Sequence, residues 1–356
     1  MTRIAQIAGD GIGPEVMAVA RRVLDAAGVT DLQWTELDWS CERYAREGSM
    51  MPADGMDLLA EHEAVLLGAV GWPGVPDHIS LWGLLIPIRR AFDQYVNLRP
   101  MRTFDGVPTP VRADLAEGVD IVVVRENTEG EYSTLGGRHG SGAAETALQT
   151  AIFTRAGIER IAHVAARHAA ERGGTLTVAT KSNGIIHSMP FWDEVVREVA
   201  QEYPIEVHFE LIDALAAHLV MRPADYDVVL GSNLFGDILS DLVGGVCGSI
   251  GIAPSANIDP TRTHPSMFEP VHGSAPDIAG QGLANPVGMV WSAAMMLKHL
   301  GKEKETNRIM AAITTTLADP ATRTPDVGGL ADTETVADAL VDHLRSTAPH
   351  VESAVA

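Results

Sequence analysis

Cysteine is nearly absent: the chain of 356 residues holds two, Cys41 and Cys247, far apart and without CxxC spacing. That excludes a disulfide framework and a cysteine zinc site, and leaves two ordinary thiols suited to a reducing compartment. Basic charge is also scarce, with 26 Lys plus Arg against 47 Asp plus Glu and a formal net charge of −21. Nucleic acid and anionic membrane both demand a basic surface, so neither is an expected partner. An acidic surface chiefly solubilises. Its corollary is that an anionic small ligand must be held by locally clustered arginines working against the global field. Long apolar runs are missing too. The stretch near Leu242–Ala253 is too short and too glycine-rich to span a bilayer. The N-terminus enters the strand-like Ile4-Ala5-Gln6-Ile7-Ala8 with no basic region followed by a signal-like apolar core. A cytoplasmic location is the expectation. No repeat or low-complexity tract is visible, and the 34 glycines and 20 prolines are scattered, which suits tight connections between many short elements.

What is present is enough apolar material, 46% of residues, to bury a large core in one large domain or two intimately packed ones. Short β-branched runs such as Ala64-Val65-Leu66-Leu67, Ile121-Val122-Val123-Val124, Leu176-Thr177-Val178-Ala179 and Asp227-Val228-Val229-Leu230 alternate with amphipathic segments such as Ile158–Arg172 and Phe191–Glu202. This alternation is the signature of an α/β architecture, with ligand sites where the strands end. After the first strand comes Gly9-Asp10-Gly11-Ile12-Gly13-Pro14-Glu15-Val16, which superficially resembles a dinucleotide loop. It is not G-x-G-x-x-G, and Pro14 stands where a helix would begin, so a tight strand-to-helix turn is an equal reading. The Gly-, Ser- and Thr-rich stretch from about Glu131 to Ala151 reads as an excursion from the body, either an arm exchanged with a partner subunit or a surface loop. Asp319–Gly329 reads as loop, followed by a helix capped by Asp332 or Thr333 that buries Val336, Leu340, Val341 and Leu344. The tail after Ser346 is expected to fray.

Four constellations carry chemistry. Arg89-Arg90, Arg99 and Arg125, the last two within Asn97-Leu98-Arg99-Pro100 and Arg125-Glu126-Asn127-Thr128-Glu129-Gly130-Glu131-Tyr132, suit a dicarboxylate if they converge, because guanidinium forks bind carboxylates bidentately. Singly, each is most simply a surface ion pair. Ser232-Asn233-Leu234-Phe235-Gly236-Asp237 leads on to Asp241, placing two carboxylates on one helix face, where they repel unless a cation intervenes. Such hard oxygens favour Mg²⁺ or Mn²⁺; the bland alternative is that Asp237 complements a helix N-terminus. Lys181, after a strand, is a base if its neighbours lower its pKa and otherwise a solvated lysine. Asp213 is unremarkable alone. Finally, Phe268-Glu269-Pro270-Val271-His272-Gly273-Ser274-Ala275-Pro276-Asp277 and Ala284-Asn285-Pro286 offer small residues for a flat ligand, and Asp277 offers an acceptor for ribose hydroxyls.

Together these segments resemble the β-decarboxylating dehydrogenases, the family of isocitrate, 3-isopropylmalate and tartrate/D-malate dehydrogenases. The match runs from the Gly9 loop to Thr324-Pro325-Asp326, with order, spacing and residue type agreeing at four sites. It is closest to the tartrate/D-malate branch through Gly71-Trp72-Pro73, Val75-Pro76-Asp77-His78-Ile79-Ser80-Leu81-Trp82-Gly83 and the two arginine segments. The resemblance implies a two-lobed α/β fold of the isopropylmalate-dehydrogenase kind, with a shared mixed sheet, not a Rossmann domain. Residues 1–97 plus 249–356 would form the larger, NAD-binding lobe. Residues 98–248 would form the smaller one, with the dimer interface, the arm near 131–151 and the metal and substrate residues. It further implies that Arg89, Arg99 and Arg125 hold substrate carboxylates and that Leu85 and Ile86 face the substrate's variable group. Asp213, Asp237 and Asp241 would bind Mn²⁺ or Mg²⁺ across a homodimer interface. Lys181, from the neighbouring subunit, would take the C2 hydroxyl proton, and Tyr132 would protonate the enolate. His272, Gly273, Ser274, Ala275, Asp277 and Asn285 would contact NAD, with the acid at Asp277 repelling the 2′-phosphate of NADP. A monovalent cation such as K⁺ is a further candidate cofactor that no motif decides.

The implied activity is oxidation and decarboxylation of a small 2-hydroxy diacid, D-malate or tartrate. Apolar Leu85 and Ile86 disfavour a third carboxylate but leave room for an isopropyl group, so 3-isopropylmalate is the alternative substrate. A non-catalytic regulatory subunit is the alternative of another class, and one that retention of Lys181, Tyr132, three aspartates and three arginines disfavours. One departure stands out: Pro87 falls inside the helix that must present Arg89, where proline removes a donor and distorts the preceding turn.

Overall fold

Short apolar runs closed by glycine, proline or polar turns fold as strands, and the computed structural model describes residues 1–347. Strands β1 (Thr2–Gly9), β2 (Leu32–Leu37), β3 (Ala64–Ala69), β4 (Val96–Arg102) and β5 (Asp120–Glu126) precede a separate hairpin, β6 (Gly136–His139) with β7 (Thr146–Gln149). Then follow β8 (Thr175–Thr180), β9 (Glu206–Leu211), β10 (Val228–Gly231), β11 (Pro254–Ile258) and β12 (Ser266–Pro270). All but the hairpin form one ten-stranded sheet, ordered β2-β1-β3-β12-β11-β4-β5-β10-β8-β9. Both flanks are parallel, while the β12–β11, β11–β4 and β4–β5 pairs at the centre are antiparallel. The expected α/β fold with one shared mixed sheet is what forms, and a doubly wound parallel sheet is not.

Strands covered on both faces need no polar alternation, and all of β3 is buried. One core packs β1, β3 and the central strands against helices Gly13–Ala26, Val287–His299, Glu303–Ala318 and Thr333–Ser346. A second gathers β5, β8 and β10 with Arg155–Glu171, Ser188–Ala200 and Asn233–Val246. Pro14 lies in the first turn of its helix, as its missing N–H allows. The loop before it is a packing joint: a Cβ on Gly9 would sit 1.8 Å from the Ala69 carbonyl oxygen, and one on Gly11 2.0 Å from that of Ser274. Asp332 caps the last helix through the Thr335 N–H at 2.8 Å, and Val336, Leu340, Val341 and Leu344 are buried. Of the tail beyond Ser346, all but Thr347 lies outside the described residues. Among the described residues, no helix is long and apolar enough to cross a membrane.

Pro87 is accommodated by a change of helical pitch. The segment runs as Asp77–Ser80, then a π turn over Leu81–Leu85, then α-helix over Ile86–Ala91. The Ile86 N–H reaches back to the Leu81 carbonyl, and Pro87, which has no N–H to give, follows directly where the wider π turn passes into the α portion.

Burial against Phe268, seconded by the Arg262 charge, pushes the His299 imidazole down to about 4. The unfolded chain takes up this proton first, so stability falls as pH drops from about 6.5 to about 4. His299→Gln is expected to remove roughly 1–2 kcal/mol of that loss, residual solvent screening the rest. Urea unfolding at pH 7 and pH 5 measures it, and an unchanged pH dependence in the variant contradicts it.

Candidate active site

Arg125 on β5 lies opposite Asn97 of β4, and Arg99 is two residues further along β4. The two-residue strand period therefore puts both guanidiniums on one face of the sheet. Arg89 arrives from the helix that follows the π turn, Tyr132 from the segment after β5, and Asp237 from the helix Asn233–Val246. These five side chains share the wall of a cavity of about 140 Å³, joined by Arg90, Asn127 and Asn233 and by the apolar Leu81 and Ile86. Four guanidiniums face one carboxylate there, in a chain whose net charge is −21. Glu269 and Asp241, outside this lining, answer two of these arginines, and the cationic excess that remains suits a small anionic ligand.

The predicted arginines are buried and already hydrogen-bonded. Arg89 donates to Glu269 Oε1 at 2.7 Å, and Arg99 donates to Ser240 Oγ at 2.7 Å and Asp241 Oδ1 at 3.1 Å. Arg125 donates to Asn233 Oδ1 at 2.6 Å and also to Asp237 Oδ1. Burial pushes Arg125 down to about 10, against the pull of Asp237, which leaves it a cation at neutral pH. Burial also disfavours the Asp237 charge, yet Arg125, Arg99 and the Tyr132 hydroxyl, donating at 3.1 Å, hold this carboxyl below its ordinary range. Asp241 goes the other way: burial, and then the Asp237 charge, outweigh Arg99. Tyr132 is raised by burial and by Asp237, so its proton is retained.

Asp237 does not complement its helix N-terminus. That task falls to Ser232, whose Oγ accepts from the Phe235 N–H, and to Glu131, which accepts from the Leu234 N–H at 3.0 Å and from Ser232 Oγ at 2.7 Å. Glu131 thus ties the Tyr132 segment to the Asp237 helix. The sequence signal for it was an acid directly before Tyr132. Asn127 and Asn233 also reach the cavity, though nothing in their spacing singled them out, and so does Arg90, the companion of Arg89 in the sequence.

Lys181 and Asp213 are not in this cavity. They follow the neighbouring parallel strands β8 and β9 and pair with each other at 2.6 Å between Nζ and Oδ1, the lysine holding the exposed carboxyl below its ordinary range. Asp237 and Asp241 remain one helical turn apart. Among the described residues, no three His, Cys, Asp or Glu side chains of one chain gather as a metal site. Leu85 packs with Leu84 and Ile88 in an apolar cluster rather than on the cavity wall, where Leu81 stands instead.

Beyond β12, His272 is buried with Nδ1 3.0 Å from the Gly273 carbonyl and, among the described residues, with no partner for Nε2; burial pushes it down, towards the neutral ring. The Ser274 carbonyl accepts from the Ile12 N–H at 2.9 Å, and Asn285 donates to Asp326 at 3.1 Å. A Cβ on Gly273 would meet nothing within 4 Å, and Ala275 adopts a positive φ of 38°. Asp277 is exposed. The strip is therefore open on its Gly273 side, with an orphaned imidazole nitrogen below.

The model of the isocitrate/isopropylmalate dehydrogenase family matches residues 3–340. The chain belongs to this family. It is 52% identical over 352 residues to a D-malate dehydrogenase (decarboxylating) of Escherichia coli K12, covering 95% of this chain and 97% of that one. A probable tartrate dehydrogenase/decarboxylase of Bacillus subtilis 168 is 51% identical over 348 residues, with 96% and 98% covered. Among solved structures, isocitrate dehydrogenase from Methylococcus capsulatus superposes with a TM-score of 0.88 at 34% identity, covering 97% of this chain and all of that one. A β-decarboxylating dehydrogenase from Thermococcus kodakarensis gives 0.80 at 37%, with 97% of each covered. This member of the isocitrate/isopropylmalate dehydrogenase family is an oxidoreductase of the decarboxylating dehydrogenase class. The family's dehydrogenases generally use NAD and a divalent metal, and are typically homodimers acting on small dicarboxylates.

Proposed function

We propose that this enzyme oxidises D-malate with NAD and decarboxylates the product to pyruvate and CO₂, and that it oxidises tartrate in the same site. The supporting observation is the cationic excess around a small cavity that also holds Tyr132 and Asp237. Asp237 and Asp241 are hard-oxygen donors one turn apart on one helix, which suits Mn²⁺ or Mg²⁺ once a third carboxylate joins them. The partner subunit's Asp213 is our choice for that third ligand, and the hairpin near 131–151 for the arm that carries the pairing. The strip from His272 to Asp277, with Asn285, is our NAD site, its orphaned imidazole nitrogen free for a ligand acceptor or donor. We take the lobes as 1–97 plus 249–356 and 98–248; the two large cores support this division, although Phe104 and Val107 pack into the first core and Tyr95, Val96 and Ala253 into the second. Two buried free thiols, both pushed up to about 12 by burial, suit a reducing cytoplasm.

Arg89, Arg99 and Arg125 hold the two substrate carboxylates and fix C2 and its hydroxyl. The partner subunit's Lys181 takes the hydroxyl proton as the C2 hydride departs, leaving a ketone. When bound, NAD at the His272–Asp277 strip would supply the hydride acceptor, and a metal ion held by Asp237, Asp241 and the partner subunit's Asp213 would supply a Lewis acid for the hydroxyl oxygen and for the negative charge that loss of CO₂ develops. The bond to the carboxylate on C3 then breaks, CO₂ leaves, and Tyr132 returns a proton to C3 to complete pyruvate.

NADH formation at 340 nm with Mn²⁺, comparing D-malate, the tartrates, 3-isopropylmalate and isocitrate, tests the substrate. Fastest turnover of D-malate or a tartrate is expected; preference for 3-isopropylmalate would move the substrate while keeping the residues. For the cofactor, Asp277→Lys is expected to raise KM for NAD at least about tenfold, the loss of a charged hydrogen bond to ribose. An unchanged KM removes Asp277 from the site.

A further inference from the structure

Consecutive residues on a helix point about 100° apart, so Arg89 and Arg90 are not both expected on one cavity wall. Both are there. Arg89 is buried against Glu269, whereas Arg90 is only partly buried and reaches the cavity by another route. Its guanidinium lies over the Trp82 ring, 5.1 Å from the centroid, and its Nη2 donates to the Tyr132 carbonyl. Trp82 belongs to the π turn that admits Pro87, so the turn and the stack are parts of one local arrangement. Among the described residues Arg90 has no other hydrogen bond and no ion pair, unlike Arg89, Arg99 and Arg125. It therefore brings an unneutralised charge, with donors to spare, to the cavity that Leu81 and Ile86 also line.

We propose that Arg90 is the residue that sets specificity at the substrate's C3 position, admitting hydrogen or hydroxyl there and rejecting an apolar branch. This rests on reading the cavity as the site of a 2-hydroxy diacid dehydrogenase. A guanidinium held by an indole face on one side and a peptide carbonyl on the other does not swing out to water when an alkyl group arrives. The alkyl group strips its remaining water and offers no acceptor in return, and a charged donor left unpaired in a closed site is the costly outcome. A C3 hydroxyl accepts from it directly. A C3 hydrogen leaves space for a water that does the same.

The test is kcat/KM for 3-isopropylmalate relative to D-malate in the full-length enzyme and in Arg90→Leu and Arg90→Gln. The ratio is expected to rise at least about tenfold in Arg90→Leu and less in Arg90→Gln, which keeps a donor without the charge. A purely structural role for Arg90 lowers both activities together and leaves the ratio where it was, which overturns the proposal. Should Arg90→Leu fail to fold, the ratio in Arg90→Gln decides by the same criterion. A parent enzyme inactive on every 2-hydroxy diacid overturns the functional reading and this inference with it. An active parent whose ratio neither variant moves overturns only the role of Arg90.

Discussion

Lys181→Met is expected to lower kcat for D-malate by about 10³–10⁴, the upper range for loss of a general base, with a much smaller change in KM. The split follows from geometry: Lys181 pairs with Asp213 outside the cavity that gathers the arginines proposed to bind the substrate carboxylates. Asp237→Asn is expected to be comparably inactive, because it removes a proposed metal ligand and the partner of Arg125 and Tyr132. The two dead variants should nevertheless complement each other. If each site takes Asp237 from one subunit and Lys181 from the other, a mixed dimer holds one intact site and one doubly damaged site. Random reassembly of equal amounts then restores about a quarter of wild-type activity, half the dimers being mixed and each of those half active. No recovery after refolding the mixture together, with mixed dimers verified by mass, contradicts a shared site.

Arg125→Met carries the second large effect, because this side chain has two tasks. It is 3% exposed and donates to both Asn233 and Asp237. Its removal deletes a carboxylate fork and leaves Asp237 with Arg99 as its remaining cation, 3.4 Å away. KM for D-malate is expected to rise by roughly 100-fold, the worth of a bidentate charge-assisted pair. Stability should fall by roughly 2 kcal/mol, less than for a fully buried pair because the Asp237 side chain is 32% exposed. Arg125→Lys should return much of the stability and little of the affinity, since a point charge neutralises Asp237 but does not form the fork. Wild-type KM in either variant rules Arg125 out as a substrate ligand.

Much of this site was legible where chemistry coincides with local periodicity. Arg99 and Arg125 fall on adjacent strands, Asp237 and Asp241 fall one helical turn apart, and Tyr132 follows Arg125 closely enough to return to the same cavity. The α/β alternation likewise gave the strands of the sheet. What one chain's periodicity does not encode is how elements rotate against one another. The π turn rephases the helix, so Leu81 faces the cavity while Leu85 packs into an apolar cluster, and a second arginine reaches the wall. Glu131 was marked only by standing directly before Tyr132, and its task emerged once the fold laid it at a helix N-terminus. The antiparallel centre of the sheet was out of reach too, because strand order depends on long-range pairing such as β4 with β11 and not on any local pattern.

The central claim is that oxidation and decarboxylation of one 2-hydroxy diacid are coupled in this cavity. The most direct measurement is the stoichiometry of CO₂ to NADH during turnover of D-malate with Mn²⁺, with a metal-chelated control run beside it. One CO₂ is expected for each NADH, and neither product after chelation. NADH formed without CO₂, or turnover unaffected by chelation, would contradict it.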